Sequence, residues 1–104
     1  MKNPLTPYVE GQIVDENVEF TLAELCRISG ASESELTLWV AHGAFEPSGS
    51  APEQWRFSGT SLRRVRIACR LAADLEINAP GIALALDLLD EIEALRAQSG
   101  TKAT

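Results

Sequence analysis

The stretch from Phe20 to Val40 carries two helix-start signals in succession, separated by a short turn. Thr21 has Glu24 three residues later, and Ser32 has Glu35 at the same spacing. In such a capping box the hydroxyl and the carboxylate each accept a hydrogen bond from the other residue's backbone N–H, which begins a helix. The stretch therefore predicts a helix-turn-helix.

Glycines mark the ends of both predicted helices. Gly30 lies where the first helix must stop and Gly43 where the second must stop, and glycine readily adopts the positive φ that such ends need. Helices this short bury their apolar faces only against other elements. The predicted faces are Leu22, Leu25, Cys26 and Ile28 on the first helix, and Leu36, Trp39 and Val40 on the second.

The composition indicates one small globular domain with an acidic surface. The chain has 104 residues, of which 45% are hydrophobic and 23% charged, and its net charge is −6. That charge opposes binding to nucleic acids and to acidic membrane surfaces, and it favours a basic partner. No apolar run is long enough to span a membrane or to form a signal peptide, so we expect a cytoplasmic protein.

The two cysteines form no recognisable metal or redox motif. Cys26 and Cys69 each lie in an apolar, helix-like pattern, which favours free buried thiols over a disulfide.

The flanking segments complete the domain plan. Residues 1–19 are interpreted as an N-terminal extension in which Tyr8-Val9 or Ile13-Val14 either dock on the domain or remain part of a mobile chain end. Residues 20–98 form the predicted domain, and residues 99–104 a flexible tail. Between the helices, Phe45-Glu46-Pro47 and Gln54-Trp55-Arg56-Phe57 flank a turn-rich segment, which predicts a small hairpin wing with Pro47 at an edge.

A third helix is predicted from Ser58 or Thr60 to about Glu76. Its apolar side contains Leu62, Val65, Cys69, Ala72 and Leu75, with Ala68 and Leu71 beside them. Its opposite side contains Arg63, Arg66 and Arg70, with Arg64 nearby, which is the one basic concentration in the chain. Arg70 has Asp74 four residues later, so the two side chains are placed to form an ion pair.

A fourth helix is predicted from the break at Asn78-Ala79-Pro80-Gly81 to about Gln98, since proline is tolerated in a first helical turn. This helix has two apolar lines and an acidic band. The first line is Ile82, Ala85, Leu89 and Ile92; the second is Leu84, Leu88 and Leu95; the band is Asp87, Asp90, Glu91 and Glu93. Two lines indicate either a deeply packed helix or contact with another chain.

The helix order resembles that of winged helix-turn-helix domains related to MerR-type regulators, most of which bind DNA. In those domains the start of the second helix reads base edges in the major groove. Here that region, Ser32 to Thr37, contains no basic residue and has Glu33 and Glu35, while the wing offers only Arg56. These charges argue against unassisted DNA binding, which remains the alternative function.

The sequence predicts no enzyme. His42 precedes Gly43 at a helix end, where a cation is favoured by the helix dipole. It has no recognisable catalytic or metal-binding companion, the glycines do not form a phosphate-binding loop, and Asp90 and Glu91 point to different sides of their helix. We therefore expect no cofactor, metal or small-molecule substrate.

From Phe20 to Leu95 the chain resembles the CbpM family of chaperone modulators. The resemblance is carried by RLAADLEINAPGIALALDLLDEIEAL at 70–95, by FTLAELCRISGASESEL at 20–36 and by Trp55-Arg56-Phe57. It implies an all-α fold with a small β-hairpin wing, namely a MerR-like winged helix-turn-helix with an additional C-terminal helix. It also implies a non-enzymatic adaptor that binds the J-domain of the DnaJ-like co-chaperone CbpA and inhibits it by blocking engagement of the DnaK-type chaperone.

The predicted partner-binding residues lie on the fourth helix. Because J-domains of this kind carry a basic helix, the carboxylates Asp87, Asp90 and Glu91 are predicted as polar contacts and Leu84 and Leu88 as apolar anchors. Glu33 and Glu35 form an alternative acidic surface. The other line, Ile82, Leu89 and Ile92, is assigned either to the core or to a homodimer.

Overall fold

The computed structural model describes residues 18–103, with side chains from Val18 to Ser99. The elements, in chain order, are strand β1 (Glu19–Phe20), helix α1 (Leu22–Ser29), helix α2 (Glu33–Ala41), a 3-10 turn (Pro52–Gln54), strand β2 (Phe57–Ser58), helix α3 (Ser61–Leu75) and helix α4 (Ala79–Ala103). The predicted fold class is confirmed. The predicted docking pairs Tyr8-Val9 and Ile13-Val14 lie outside the described residues.

Both predicted capping boxes form. The Thr21 hydroxyl accepts the Glu24 N–H at 3.1 Å while the Glu24 carboxylate accepts the Thr21 N–H at 2.9 Å. Ser32 and Glu35 repeat the arrangement at 3.0 and 3.1 Å. Gly30, with φ of 90°, ends α1 in the left-handed conformation. The helix-turn-helix is therefore specified by interactions between residues three positions apart.

The wing is built differently from the predicted hairpin. The first arm makes a single antiparallel bridge, in which Ser48 and Arg56 exchange backbone hydrogen bonds of 3.0 Å. Strand β2 then pairs with β1, with Glu19 opposite Ser58 and Phe20 opposite Phe57. The first arm makes no further pairing with β2 beyond that bridge, and Pro47 stands directly before it, at an edge as predicted.

Helices α3 and α4 are joined by a sharp corner. Glu76 follows α3 in the left-handed conformation, with φ of 55°. The Asn78 side-chain oxygen accepts the Gly81 N–H at 2.9 Å, as an N-cap does, and Pro80 lies in the first turn of α4 as predicted. Helix α4 extends to Ala103 and so passes the predicted end near Gln98; the Ser99 hydroxyl donates to the Leu95 carbonyl and so stays within the helix.

One core joins the helices. Its fully buried larger side chains are Leu25, Leu36, Phe57, Val65, Ile82 and Leu86. Ile28 and Leu75 were predicted on buried faces, and both predictions are wrong, because each residue lies close to the end of its helix and is exposed. Leu86 was not singled out from the sequence, although it lies one turn beyond Ile82 on the same face of α4.

Candidate functional site

Helix α4 is packed at its start and exposed over most of its length. Ile82 is fully buried, and Leu86 keeps only 1% of its surface exposed. This part of α4 packs against both α2 and α3. From Asp87 to Ser99 every residue is exposed. The helix therefore presents a long surface beyond the point where the core holds it.

The side of α4 opposite Leu86 carries three exposed leucines, and we call this the outer face: Leu84, Asp87, Leu88, Glu91 and Leu95. Successive residues of an α-helix are rotated by about 100°, so these five positions fall on one side. The leucines Leu84, Leu88 and Leu95 are 60%, 54% and 53% exposed. The structure thus brings together four of the five predicted partner-binding residues, namely Leu84, Asp87, Leu88 and Glu91.

The fifth predicted residue, Asp90, lies on another side of α4. Its two carboxylate oxygens accept hydrogen bonds from Arg64 on α3, at 2.6 and 2.7 Å. The sequence did not reveal this ion pair, because its members are 26 positions apart. Asp90 is therefore engaged within the domain rather than displayed with Asp87 and Glu91.

Arg64 connects three parts of the fold. Besides holding Asp90, it donates to the Ala44 carbonyl at 3.2 Å. Its guanidinium carbon lies 5.7 Å from the centre of the Phe45 ring, a distance at which a cation is attracted to an aromatic face. One side chain thus links α3, the segment that follows α2, and α4, and it fixes how α4 lies on the helix-turn-helix.

Replacing Arg64 by alanine is expected to lower the free energy of unfolding by about 1–2 kcal/mol, because charge-assisted hydrogen bonds are lost. The loss is no larger because the Asp90 carboxylate is half exposed and can bind water instead. Arg63 provides the matched control, since it is exposed and only approaches Glu93 at 4.0 Å. Arg63→Ala should change the same quantity by less than about 1 kcal/mol. Urea denaturation measures both values, and equal losses would contradict the role given to Arg64.

The same ion pairs alter the prediction for the basic side of α3. Among the described side chains, the two ion pairs both join α3 to α4, through Arg63–Glu93 and Arg64–Asp90. The predicted Arg70–Asp74 pair is not one of them. Since two of the four clustered arginines already face carboxylates, α3 offers less positive charge to a nucleic acid than its sequence indicates.

The alternative acidic surface is present at the start of α2. Glu33 and Glu35 are both exposed, but the Glu35 carboxylate is bound to the backbone of Ser32 as part of the capping box. Glu33 is the carboxylate of this pair that makes no capping contact. The start of α2 therefore has fewer groups available to bind a partner than the outer face of α4, which combines carboxylates with exposed leucines.

The first predicted apolar line of α4, which contains Ile82, Leu89 and Ile92, is divided by the structure. Ile82 belongs to the core, whereas Leu89 and Ile92 are 39% and 44% exposed. These two side chains line a cavity of about 560 Å³ between α3 and α4, which we call the groove. The assignment of the line to the core is thus confirmed for Ile82, and the proposed homodimer contact of Leu89 and Ile92 stays a prediction.

The remaining polar groups show little sign of catalysis. Cys26 and Cys69 are free and partly buried, and burial is the main cause that raises the pKa of each thiol, so that both stay protonated and weakly nucleophilic at neutral pH. His42 caps the end of α2. In the part of the chain that the structure describes, no three metal-binding side chains cluster, and no helix has the length and hydrophobicity needed to cross a membrane.

Comparison with known proteins places these features in a family. Residues 20–100 match the family model described as MerR HTH family regulatory protein. The chaperone modulatory protein CbpM of Coxiella burnetii (strain Dugway 5J108-111) is 40% identical over 87 residues, which cover 84% of this chain and 82% of that protein.

Relatives from other bacteria carry the same name. CbpM of Citrobacter koseri is 37% identical over 87 residues, covering 84% of this chain and 86% of that protein. CbpM of Pseudomonas putida (strain W619) is 35% identical over 82 residues, covering 79% of this chain and 81% of that protein. The resemblance stated from residues 20–95 is therefore confirmed over most of the chain.

Proposed function

The chain belongs to the CbpM family of chaperone modulatory proteins, and from that premise we propose that it binds the J-domain of a DnaJ-like co-chaperone, CbpA, through the outer face of α4. Its role as a chaperone modulator, rather than an enzyme, follows from the family. The J-domain, the binding surface and the mechanism of inhibition are the proposal.

The single observation that carries the proposal is the composition of the outer face. Three exposed leucines lie in line, with Asp87 and Glu91 beside them, on a helix whose opposite side is held by the core. Exposed leucines that are aligned in this way gain free energy when a partner covers them. The carboxylates favour a partner whose own apolar surface is surrounded by lysine or arginine.

Inhibition would follow from occupancy alone. If the basic helix with which a J-domain engages the DnaK-type chaperone lies against Asp87 and Glu91, the same helix is no longer available to that chaperone. The acidic net charge of −6 increases the rate of encounter with a basic surface. No covalent chemistry, metal or cofactor is needed for this mode of action.

Charge reversal tests the proposed surface. Asp87→Lys/Glu91→Lys should weaken binding to an isolated CbpA J-domain by about tenfold, mainly through slower association, because two attractive charges become repulsive. Isothermal titration gives the affinity and stopped-flow fluorescence gives the association rate. Glu46→Lys/Asp74→Lys is a matched control that makes the same change in net charge at exposed positions away from the outer face.

The result can also contradict the proposal. If the double variant keeps its helical circular dichroism and its full affinity, the outer face is not the binding surface. Loss of affinity on Glu33→Lys alone would instead identify the start of α2. Asp90 is left unchanged in this experiment because its reversal would also break the ion pair with Arg64.

DNA binding remains the alternative function. Sequence-selective binding to duplex DNA that weakens steeply with salt, together with no affinity for the J-domain, would favour it. The structure adds no observation in its favour, since the exposed start of α2 presents Glu33 and Glu35 where a DNA-binding domain of this kind presents its base-reading side chains.

A further inference from the structure

The groove between α3 and α4 is apolar inside and charged at its edge. Ile67 from α3 faces Leu86, Leu89 and Ile92 from α4. The ion pairs Arg63–Glu93 and Arg64–Asp90 cross from one helix to the other beside these side chains. Leu89 and Ile92 keep about two fifths of their surface exposed, so an apolar side chain bound in the groove would remove it from water.

The strand register places Val18 near one end of this groove. Because β1 and β2 are antiparallel with Glu19 opposite Ser58, Val18 leaves the sheet on the side where Gly59 and Thr60 follow Ser58. The Ser58 and Thr60 hydroxyls lie 2.8 Å apart, and Thr60 lines the groove. Val18 therefore lies at the groove end of the domain.

The segment before β1 has the composition that the groove would bind. Ile13 and Val14 are adjacent β-branched residues, followed directly by Asp15 and Glu16. Extended chain covers about 3.3 Å per residue, so Val14 can reach about 13 Å from Val18. That distance is about the width of a helix with its side chains, and Thr60, next to which the chain leaves β1, already lines the groove.

The charges of the two surfaces are complementary. Arg63 from α3 and Arg96 from α4 are exposed and line the groove together with Ile67 and Ile92. An acidic pair that follows two apolar residues would thus meet guanidinium groups while its apolar neighbours meet Ile67.

We propose that the groove binds the chain's own amino-terminal segment, residues 1–17, with Ile13 and Val14 against the apolar lining and Asp15 and Glu16 toward Arg63 and Arg96. The segment then covers Leu89 and Ile92 and leaves the outer face of α4 free. The groove is in this way closed to a second copy, and the protein meets its partner through the outer face alone.

Methyl NMR spectroscopy of the full-length protein tests the proposal. Ile13→Ser/Val14→Ser should shift the methyl signals of Ile67, Leu89 and Ile92, while those of Leu84 and Leu95 on the outer face stay in place as an internal control. Asp15→Lys/Glu16→Lys should produce the same pattern of shifts. Adding Arg63→Glu/Arg96→Glu to that variant should return the groove signals toward their wild-type positions, because the charge pairing is restored with opposite signs.

Two results would overturn the proposal. Groove methyl signals that remain unchanged in both double variants would show that residues 13–16 do not bind there. Groove signals that shift with protein concentration, together with a dimer in sedimentation velocity, would show that a second copy occupies the groove. Circular dichroism establishes whether each variant is folded. One double variant removes apolar side chains and the other reverses charges, so if one of them does not fold, the other still tests the proposal. Titration of Ile13→Ser/Val14→Ser with the J-domain should give the wild-type affinity, because the outer face is unchanged. The outcome of the groove test is therefore independent of the proposed function.

Discussion

Replacing Leu86 by alanine is expected to lower the free energy of unfolding by about 3 kcal/mol, within the range of about 2–5 kcal/mol found for deletion of a buried leucine side chain. Leu86 is 1% exposed and belongs to the core cluster that joins α4 to the helix-turn-helix. Beyond it every side chain of α4 up to Ser99 is exposed, so Leu86 is the last of the described side chains of this helix that the core fully encloses. Urea denaturation followed by circular dichroism measures the loss.

Leu84→Ala is the matched control for this experiment. It makes the same chemical change two positions earlier in the same helix, but Leu84 is 60% exposed. Its effect on the free energy of unfolding should be below about 1 kcal/mol, since substitutions at exposed positions away from the core are usually small. Similar losses for the two variants would show that the outer face is packed against something in the isolated protein.

Leu84→Ser/Leu88→Ser is expected to weaken J-domain binding by about 100-fold. Full burial of a leucine is worth about 1.5–3 kcal/mol, and both side chains are more than half exposed before binding, so removing two of them costs roughly 2–3 kcal/mol. Isothermal titration against the isolated J-domain measures the change. Leu38→Ser/Leu75→Ser removes two other exposed leucines and should leave the affinity within about twofold.

The kinetics separate this double variant from the charge reversal at Asp87 and Glu91. Loss of apolar contacts speeds dissociation, whereas loss of complementary charge slows association. If Leu84→Ser/Leu88→Ser binds with wild-type affinity while remaining folded, the leucines of the outer face are not anchors and the proposed function must use another surface. If both pairs of leucine substitutions weaken binding equally, the loss reflects general destabilisation.

Much of the fold could be predicted because its signals are local. Thr21 with Glu24, and Ser32 with Glu35, are capping pairs whose members lie three residues apart, so the hydrogen bonds that begin α1 and α2 are visible in the sequence itself. Gly30 ends α1 because its own backbone adopts the left-handed conformation, which glycine does without strain. The start of α4 follows equally from neighbouring residues, namely Asn78 and Pro80.

The features that escaped prediction depend on partners that are distant in sequence. Phe57 pairs with Phe20, 37 positions earlier, rather than with the other arm of the wing. Arg64 on α3 binds Asp90 on α4, 26 positions later in the sequence. Periodicity indicated that α4 has more than one apolar line, but which line faces the core depends on where α2 and α3 meet it.

The arrangement of the candidate site was likewise predictable only where it depends on residues close in sequence. The grouping of Leu84, Asp87, Leu88 and Glu91 follows from helical spacing alone, so the sequence could place these residues on one side of α4. Helical spacing also places Asp90 on a different side of α4 from Glu91, but only the structure shows that Arg64 of α3 binds it there. That Leu89 and Ile92 line a groove depends likewise on the packing of α3, through Ile67.

The contact between Arg64 and Asp90 has a consequence for anyone who maps the interface genetically. On the proposed function, a screen for variants that no longer recognise the J-domain should also recover changes at Asp90, Arg64 and Phe45, because loss of these contacts frees the part of α4 beyond Leu86 and so displaces Leu88 and Leu95. Such hits would look like an epitope reaching around the helix. They would reflect a changed position of α4 and not a lost contact with the partner. Only substitutions that leave the position of α4 unchanged can outline the epitope itself.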